Sequence, residues 1–349
     1  MAETKKVYLV RAGKSGQDEE LALDSGLAVV GFREVPNLEG AKDYKGVFKL
    51  VEESYPGAKT RKIGNFAGQL WTFAHAMKEG DFVVLPRKLT SQIAIGRVTG
   101  PYRYRKIGDS SIHTRSVEWV RPDIPRTAFE QDLLHSFGAF MTVCNISRND
   151  AERRIAAVAS GKSDPGPGTV IGKLPQDGEA APEPQEETFD LGQHAHDQIV
   201  GHIQAHFAGH ALSDLVDAVL RADGWVTKVS PPGADGGVDI LGGRGPLGLD
   251  DPRLCVQVKS QNHPADVTIY RTLQGTMQTF KAQQGLLVCW GGFNKAVTAE
   301  SRQGHFTVRL WDSGDVVEAI YRTYERLPAE IQAELPLKRV WMLVLDERD

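Results

Sequence analysis

The chain has 349 residues, more than one domain usually holds and enough for two. Hydrophobic residues make up 41% and charged residues 25%, ordinary globular usage that excludes a wholly disordered, collagen-like or disulfide-dense chain. The net charge of -4 hides a gradient: residues 1–160 hold 24 Lys+Arg against 19 Asp+Glu, residues 161–200 hold 2 against 8, and residues 201–349 hold 15 against 18. A basic first part can meet a polyanion even when the total is acidic.

The cysteines Cys144, Cys255 and Cys289 are odd in number and far apart. They form neither a disulfide framework nor a metal-ligand pair, the usage expected in a reducing compartment such as the cytoplasm. The opening MAETKKVYLV has no signal-peptide apolar run, and no stretch of about 18 apolar residues occurs, so no membrane span is expected.

In chain order, KVYLVRA and LAVVGF read as short strands. Asn65 to Glu79 reads as a helix, with Phe66, Leu70, Phe73 and Met77 at helical spacing and Gly80 ending it. DFVVLP, QIAIGRVTG and HTRSVEWV follow as strands, and Asn149 to Ala159 as a second helix. Strands with short helices between them predict a small, partly open β-barrel over residues 1–160. Ser163 to Glu187 is rich in Pro, Gly and acids, so residues 161–190 read as a flexible acidic linker. Beyond it, Leu212 to Ala222 is an amphipathic helix closed by Asp223-Gly224. The strands WVTKVS, GVDIL and LCVQVKS come next, then a helix over Tyr270 to Gln284 and the strands GLLVCWG and FTVRLWD. Buried strands alternating with helices predict an α/β domain over residues 191–349.

The sharpest chemical signal is GVDI followed by VQVKS. Side chains alternate along a strand, so Gln257 and Lys259 share a face while Val256 and Val258 point the other way. If the two strands are neighbours, Asp239 reaches the same spot. Asp and a Gln carbonyl are hard oxygen ligands suited to Mg²⁺, and a lysine beside them can hold a phosphate or orient water. Together they are the equipment of metal-assisted phosphodiester hydrolysis.

The stretch from Phe207 (FAGHALSDLVDAVLRADGW) through PPGADGGVDIL and LCVQVKS to LQGTMQTFKAQQGLLVCWGGFNKAV resembles the Mrr family of restriction endonucleases over residues 205–320. The resemblance implies the PD-(D/E)xK nuclease fold. It implies Asp239 as metal ligand, Gln257 in the place usually held by Asp or Glu, and Lys259 as catalytic lysine, with Mg²⁺ as cofactor and Mn²⁺ able to substitute. Relatives supply a further acid from the first helix. Here that turn reads Ser213-Asp214, so the acid is Asp214, Asp235 or absent. His210 and Gln278 are further candidates near the site, and His263 is a weaker one.

The first part resembles a PUA/EVE-type small β-barrel on the runs KEGDFVVLP, QIAIGRVTGPYRYR and HTRSVEWV. That resemblance implies a pocket for a flipped or modified base. An extruded base wants aromatic faces and a few polar groups on its edge. Trp71, Tyr102, Tyr104 and Trp119 are the aromatic candidates, and Arg97, Arg103, Arg105 and Arg115 the basic ones. The whole then reads as a modification-dependent, Type IV-like endonuclease acting on double-stranded DNA that carries 5-methyl-, 5-hydroxymethyl- or N4-methylcytosine. One active site cuts one strand, so a double-strand break calls for a homodimer or higher assembly. The rivals are a structure-directed repair or junction nuclease of the same fold and a non-cleaving reader of modified bases.

Overall fold

The computed structural model describes residues 5–108, 110–168, 190–231 and 237–341. They fall into two compact units, residues 5–122 with 128–194, and residues 123–127 with 195–341. Among the described residues no helix is long and apolar enough to cross a membrane.

The first unit runs β1 (Val7–Val10), α1 (Glu19–Asp24), β2 (Leu27–Val30), α2 (Tyr44–Ser54), α3 (Thr60–Trp71), β3 (Phe82–Pro86), β4 (Gln92–Ile107), β5 (Ser110–Pro125), α4 (Gln131–Phe137), β6 (Val143–Asn145) and α5 (Ala151–Ala159). The strands VYLV and LAVV are apolar apart from the Tyr8 hydroxyl and buried at every position, as strands covered on both faces must be. They join one six-stranded sheet of order β2-β5-β4-β3-β1-β6, in which β1 and β3 are parallel. Helices α2 and α3 cover one face, packing Val47, Val51, Ile63, Phe66 and Leu70 against Tyr8, Val30 and Val83. The expected β-barrel does not close among the described residues. The edge strands β2 and β6 have four and three residues, too little backbone to build the ladder that closure needs.

The helix expected over Asn65 to Glu79 starts earlier and stops sooner. It ends at Trp71 and passes into a π-helical turn over Thr72–Ala76. Arg115 accounts for the change. Its buried guanidinium donates to the carbonyls of Phe73 at 2.6 Å, Ala74 at 3.0 Å and Gly100 at 3.1 Å, fixing carbonyls that a continuing α-helix would have turned inward. The start of the expected linker is also held. Asp164 meets the wholly buried Arg154 at 2.7 Å and accepts from the backbone N–H of Glu130 and Gly166. Asp132 meets the same guanidinium at 2.7 Å. The rest of the segment, residues 169–189, lies outside the described residues.

The second unit carries α6 (Leu191–His206), α7 (His210–Ala222), β7 (Val226–Val229), β8 (Ile240–Arg244), β9 (Asp250–Lys259), α8 (Val267–Phe280), β10 (Gln284–Cys289), α9 (Lys295–Ser301), β11 (Val308–Trp311), α10 (Ser313–Thr323) and α11 (Ala329–Glu334). Its sheet has the order β11-β10-β9-β8-β7, with β9, β10 and β11 parallel and β7 and β8 antiparallel to their neighbours. Helices α7 and α10 bury Leu215, Val216, Val316 and Ile320 against Val256, Val258 and Val288 on one face. On the other face α8 brings Tyr270, Leu273 and Met277 onto Cys255 and Leu287. Helix α8 begins at Val267, earlier than expected, because Asp266 caps it by accepting from Thr268 and Ile269 N–H, and Lys281 in the left-handed region ends it.

Candidate functional site

Strands β8 and β9 are neighbours, so the condition for convergence holds. Asp239 lies one residue before β8 rather than on it. Its N–H donates to Val256 O at 2.9 Å, and its Oδ2 accepts from Val258 N–H at 2.7 Å. The carboxylate is therefore oriented by the backbone between Gln257 and Lys259. Alternation along β9 sends Val256 and Val258 into the core under α7 and α10, and places Gln257 and Lys259 on the α8 side. Gln257 is only 5% exposed, and its Oε1 is buried with no hydrogen-bond partner. A buried amide oxygen without a donor is costly, and a cation is one group that would satisfy it.

The frame around these groups is tight. Gly237 has φ +85°, and a Cβ there would sit 3.4 Å from Thr276 Oγ1, so the turn before Asp239 presses on α8. Beyond Lys259 the chain is tied to the end of β10. Trp290 N–H donates to Lys259 O, and Gly291 N–H donates to Gln261 O, both at 2.9 Å. A Cβ on Gly291 would lie 2.5 Å from the backbone of His263. Cys289, in register with Lys259, is buried, and burial pushes its thiol up to about 11, so no thiolate competes beside the lysine at neutral pH.

Asp214 is exposed on α7, and Asp235 lies outside the described residues. Asp217, not singled out in the sequence, is the buried acid of that helix. It meets Arg221 at 2.8 Å and keeps Oδ1 without a partner. Among the described residues no group of three or more His, Cys, Asp or Glu is placed to hold a metal ion. His210 is exposed at the first residue of α7, Gln278 is exposed on α8, and the exposed His263 keeps its ring against Gln261.

Of the first-unit candidates, Tyr102 and Arg115 are buried. The Tyr102 hydroxyl lies 2.7 Å from His113 Nδ1 and accepts from Leu38 N–H at 3.2 Å. His113 Nε2 lies 3.2 and 3.1 Å from the carbonyls of Phe32 and Val35, so Nε2 carries the proton and Nδ1 accepts from Tyr102. These two residues thus hold the chain from Phe32 to Leu38. Trp119 donates to Ala22 O, Trp71 stacks on His75 with centroids 4.3 Å apart, and Tyr104 tilts against His113. Arg97 lies over the Phe82 ring at 4.0 Å. Arg103 and Arg105 remain exposed, the former beside Glu39 at 3.5 Å.

Among the described residues, the first unit holds a cavity of about 580 Å³, lined by residues that follow β1, β2 and β3 and by Tyr55, Phe66 and Phe140. Phe32, Tyr55, Phe66 and Phe140 form its apolar walls. Phe66 takes both Phe32 and Tyr55 edge-on, with centroids 5.2 Å apart. Lys14, Arg33, Lys88, Glu34 and Asp190 bring charges of both signs to it. The sequence signal was present in GFREV and LPRKL, aromatic and basic residues directly after predicted strands, where side chains from several strands meet.

Residues 205–320 match the protein family described as restriction endonuclease, the Mrr catalytic domain. Residues 6–146 match a domain of unknown function, DUF8426. No curated protein matches the chain. Similar solved structures include the DNA modification-dependent restriction endonuclease AspBHI, at 15% identity and TM-score 0.32, covering 89% of this chain and 87% of that one. The MspJI restriction endonuclease in complex with a 27-mer oligonucleotide is similar at 13% identity and TM-score 0.33, covering 94% and 79%. A protein of unknown function, AF1548, is similar at 14% identity and TM-score 0.26, covering 36% and 77%.

Proposed function

Starting from a C-terminal part that carries a restriction endonuclease domain of the Mrr type at residues 205–320, we propose that the protein is a modification-dependent DNA endonuclease. In this reading the second unit hydrolyses phosphodiester bonds and the first unit directs it to double-stranded DNA bearing a modified cytosine. What supports the cutting role is that Asp239 is held to the backbone of Val256 and Val258 on β9, the strand that carries Gln257 and Lys259, and that Gln257 Oε1 is buried with no hydrogen-bond partner.

The donor set fits a hard divalent cation, because a carboxylate and an amide oxygen are the ligands such ions prefer. Asp239 and Gln257 would hold Mg²⁺, with Mn²⁺ able to substitute, and the role of further acid falls to Asp214, Asp235 or solvent. When bound, the cation supplies neutralising charge at the phosphate and acidifies bound water. The protein's own groups do the positioning. Val258 N–H fixes one oxygen of Asp239. Lys259 brings an ammonium to a non-bridging phosphate oxygen or to the attacking water, and its charge favours the developing negative charge. A double-strand break then requires two copies of this site, hence a homodimer or transient pairing on DNA.

The test separates cutting from binding. Lys259→Ala and Asp239→Asn should each reduce cleavage by about three orders of magnitude or more while leaving DNA affinity within about threefold. Near-normal cutting by either variant would remove the assignment.

A further inference from the structure

We propose that the 580 Å³ cavity of the first unit takes a cytosine carrying a hydroxylated substituent of sugar size, in preference to one carrying a bare methyl group. This rests on the reading that the first unit directs the nuclease to a modified base, and it names the chemical class of that base.

Size is the first argument. A methylated cytosine ring has nine non-hydrogen atoms. A 5-hydroxymethylcytosine bearing one hexose has 21. A cavity of about 580 Å³ lies in the range that seats a ligand of drug size, nearer the second than the first.

Chemistry is the second argument. The apolar walls Phe32, Tyr55 and Phe66 suit a stacked pyrimidine. The remaining lining is not suited to a methyl group. Arg33 and Glu34 are exposed at the mouth, and the Glu34 carboxylate already accepts from the Tyr55 hydroxyl at 2.9 Å. Asp190 and Lys88 add an acceptor and a donor, and Gln17 and Thr142 add neutral groups of both kinds. A methyl group offers none of these groups a hydrogen bond. Adjacent hydroxyls are donors and acceptors together, so a sugar can answer carboxylate, ammonium and amide at once.

Rigidity is the third. The wall from Phe32 to Leu38 is pinned at three carbonyl or amide points by His113 and Tyr102. A preformed cavity does not collapse onto a smaller ligand, so the unused volume would remain as water.

The experiment uses the full chain with Lys259→Ala, so that binding is read without cutting. Three duplexes of one sequence are compared at fixed salt, carrying one cytosine, one 5-methylcytosine or one glucosylated 5-hydroxymethylcytosine. The glucosylated duplex should bind at least about tenfold tighter than the methylated one, since hydrogen-bonded hydroxyls discriminate more strongly than methylenes. Adding Glu34→Gln, at an exposed position, should cut that preference to below about threefold with an unchanged melting temperature. Methylated DNA binding as tightly as glucosylated DNA, and both tighter than unmodified, would overturn this inference and leave the reader role standing. Equal affinity for all three would overturn both.

Discussion

His113 and Tyr102 show how one side chain can decide the shape of a site it does not line. Burial pushes the His113 imidazole down to about 4, against an ordinary value near 6.5. The neutral ring is the form that bridges Tyr102 to the Phe32 and Val35 carbonyls. A histidine with a depressed folded pKa stabilises the fold above its unfolded pKa, and that contribution is lost as pH falls from about 6.5 to about 4, in all about 3 kcal/mol. Denaturant unfolding of the wild type and of His113→Gln should therefore show a stability gap that narrows by that amount between pH 7 and pH 4. A gap independent of pH would contradict the neutral, bridging ring. Alternation made Gln257 and Lys259 legible in the sequence, because two polar residues separated by a valine share one face of a strand. The same rule places Tyr102 and Tyr104 together, opposite Arg103 and Arg105. Arg115 was illegible for another reason: nothing in the sequence announces that a guanidinium will be buried against carbonyls from a turn some 40 positions away.

At the scale of elements, both sites depend on junctions rather than on regular structure. The π-helical turn after α3 leaves carbonyls that Arg115 satisfies. Arg115→Met would keep the stem and strand the carbonyls of Phe73, Ala74 and Gly100, so it should destabilise the chain by about 3–5 kcal/mol. Melting within a degree of wild type would show the guanidinium to be dispensable. In the second unit, the chain leaving Lys259 is seated on the turn after β10, where Gly291 has no room for a Cβ. Gly291→Ala should displace the backbone at His263 and, through Gln261, the end of β9. A fall in cleavage of about tenfold or more is expected with DNA binding retained, measured as single-turnover rates against affinity. An unchanged rate would mean that this junction does not position Lys259. Hydrophobic periodicity located most of these elements, but not the junctions. Helix α3 and the turn after it share one apolar stripe, and only the tertiary partner distinguishes them. The expectation of a partly open β-barrel was built without β6 (Val143–Asn145), an edge strand of three residues that is too short to show a strand pattern in the sequence.

At the scale of the whole molecule, the division of labour follows the charge gradient. A part with more basic than acidic residues precedes an acidic segment and then a weakly acidic nuclease domain. Binding to any duplex should weaken steeply with salt, because phosphate contacts release counterions, whereas the preference for the mark should not. Of the two functions proposed, cutting was legible because QxK and its partner Asp239 occupy fixed positions on paired strands. Aiming was legible only as a need. The cavity proposed for it joins residues after three strands with Tyr55, Phe66 and Phe140, which lie far apart in sequence. The central claim is that cleavage requires both the mark and the Asp239–Gln257–Lys259 site. The most direct test is digestion of one plasmid prepared unmodified, methylated at cytosine, hydroxymethylated or glucosylated, each with Mg²⁺ and with EDTA, by wild type and by Lys259→Ala. Cutting confined to marked plasmid, wild type and Mg²⁺ is the expected result. Equal cutting of unmarked plasmid, or cutting that survives EDTA or the loss of Lys259, would contradict it.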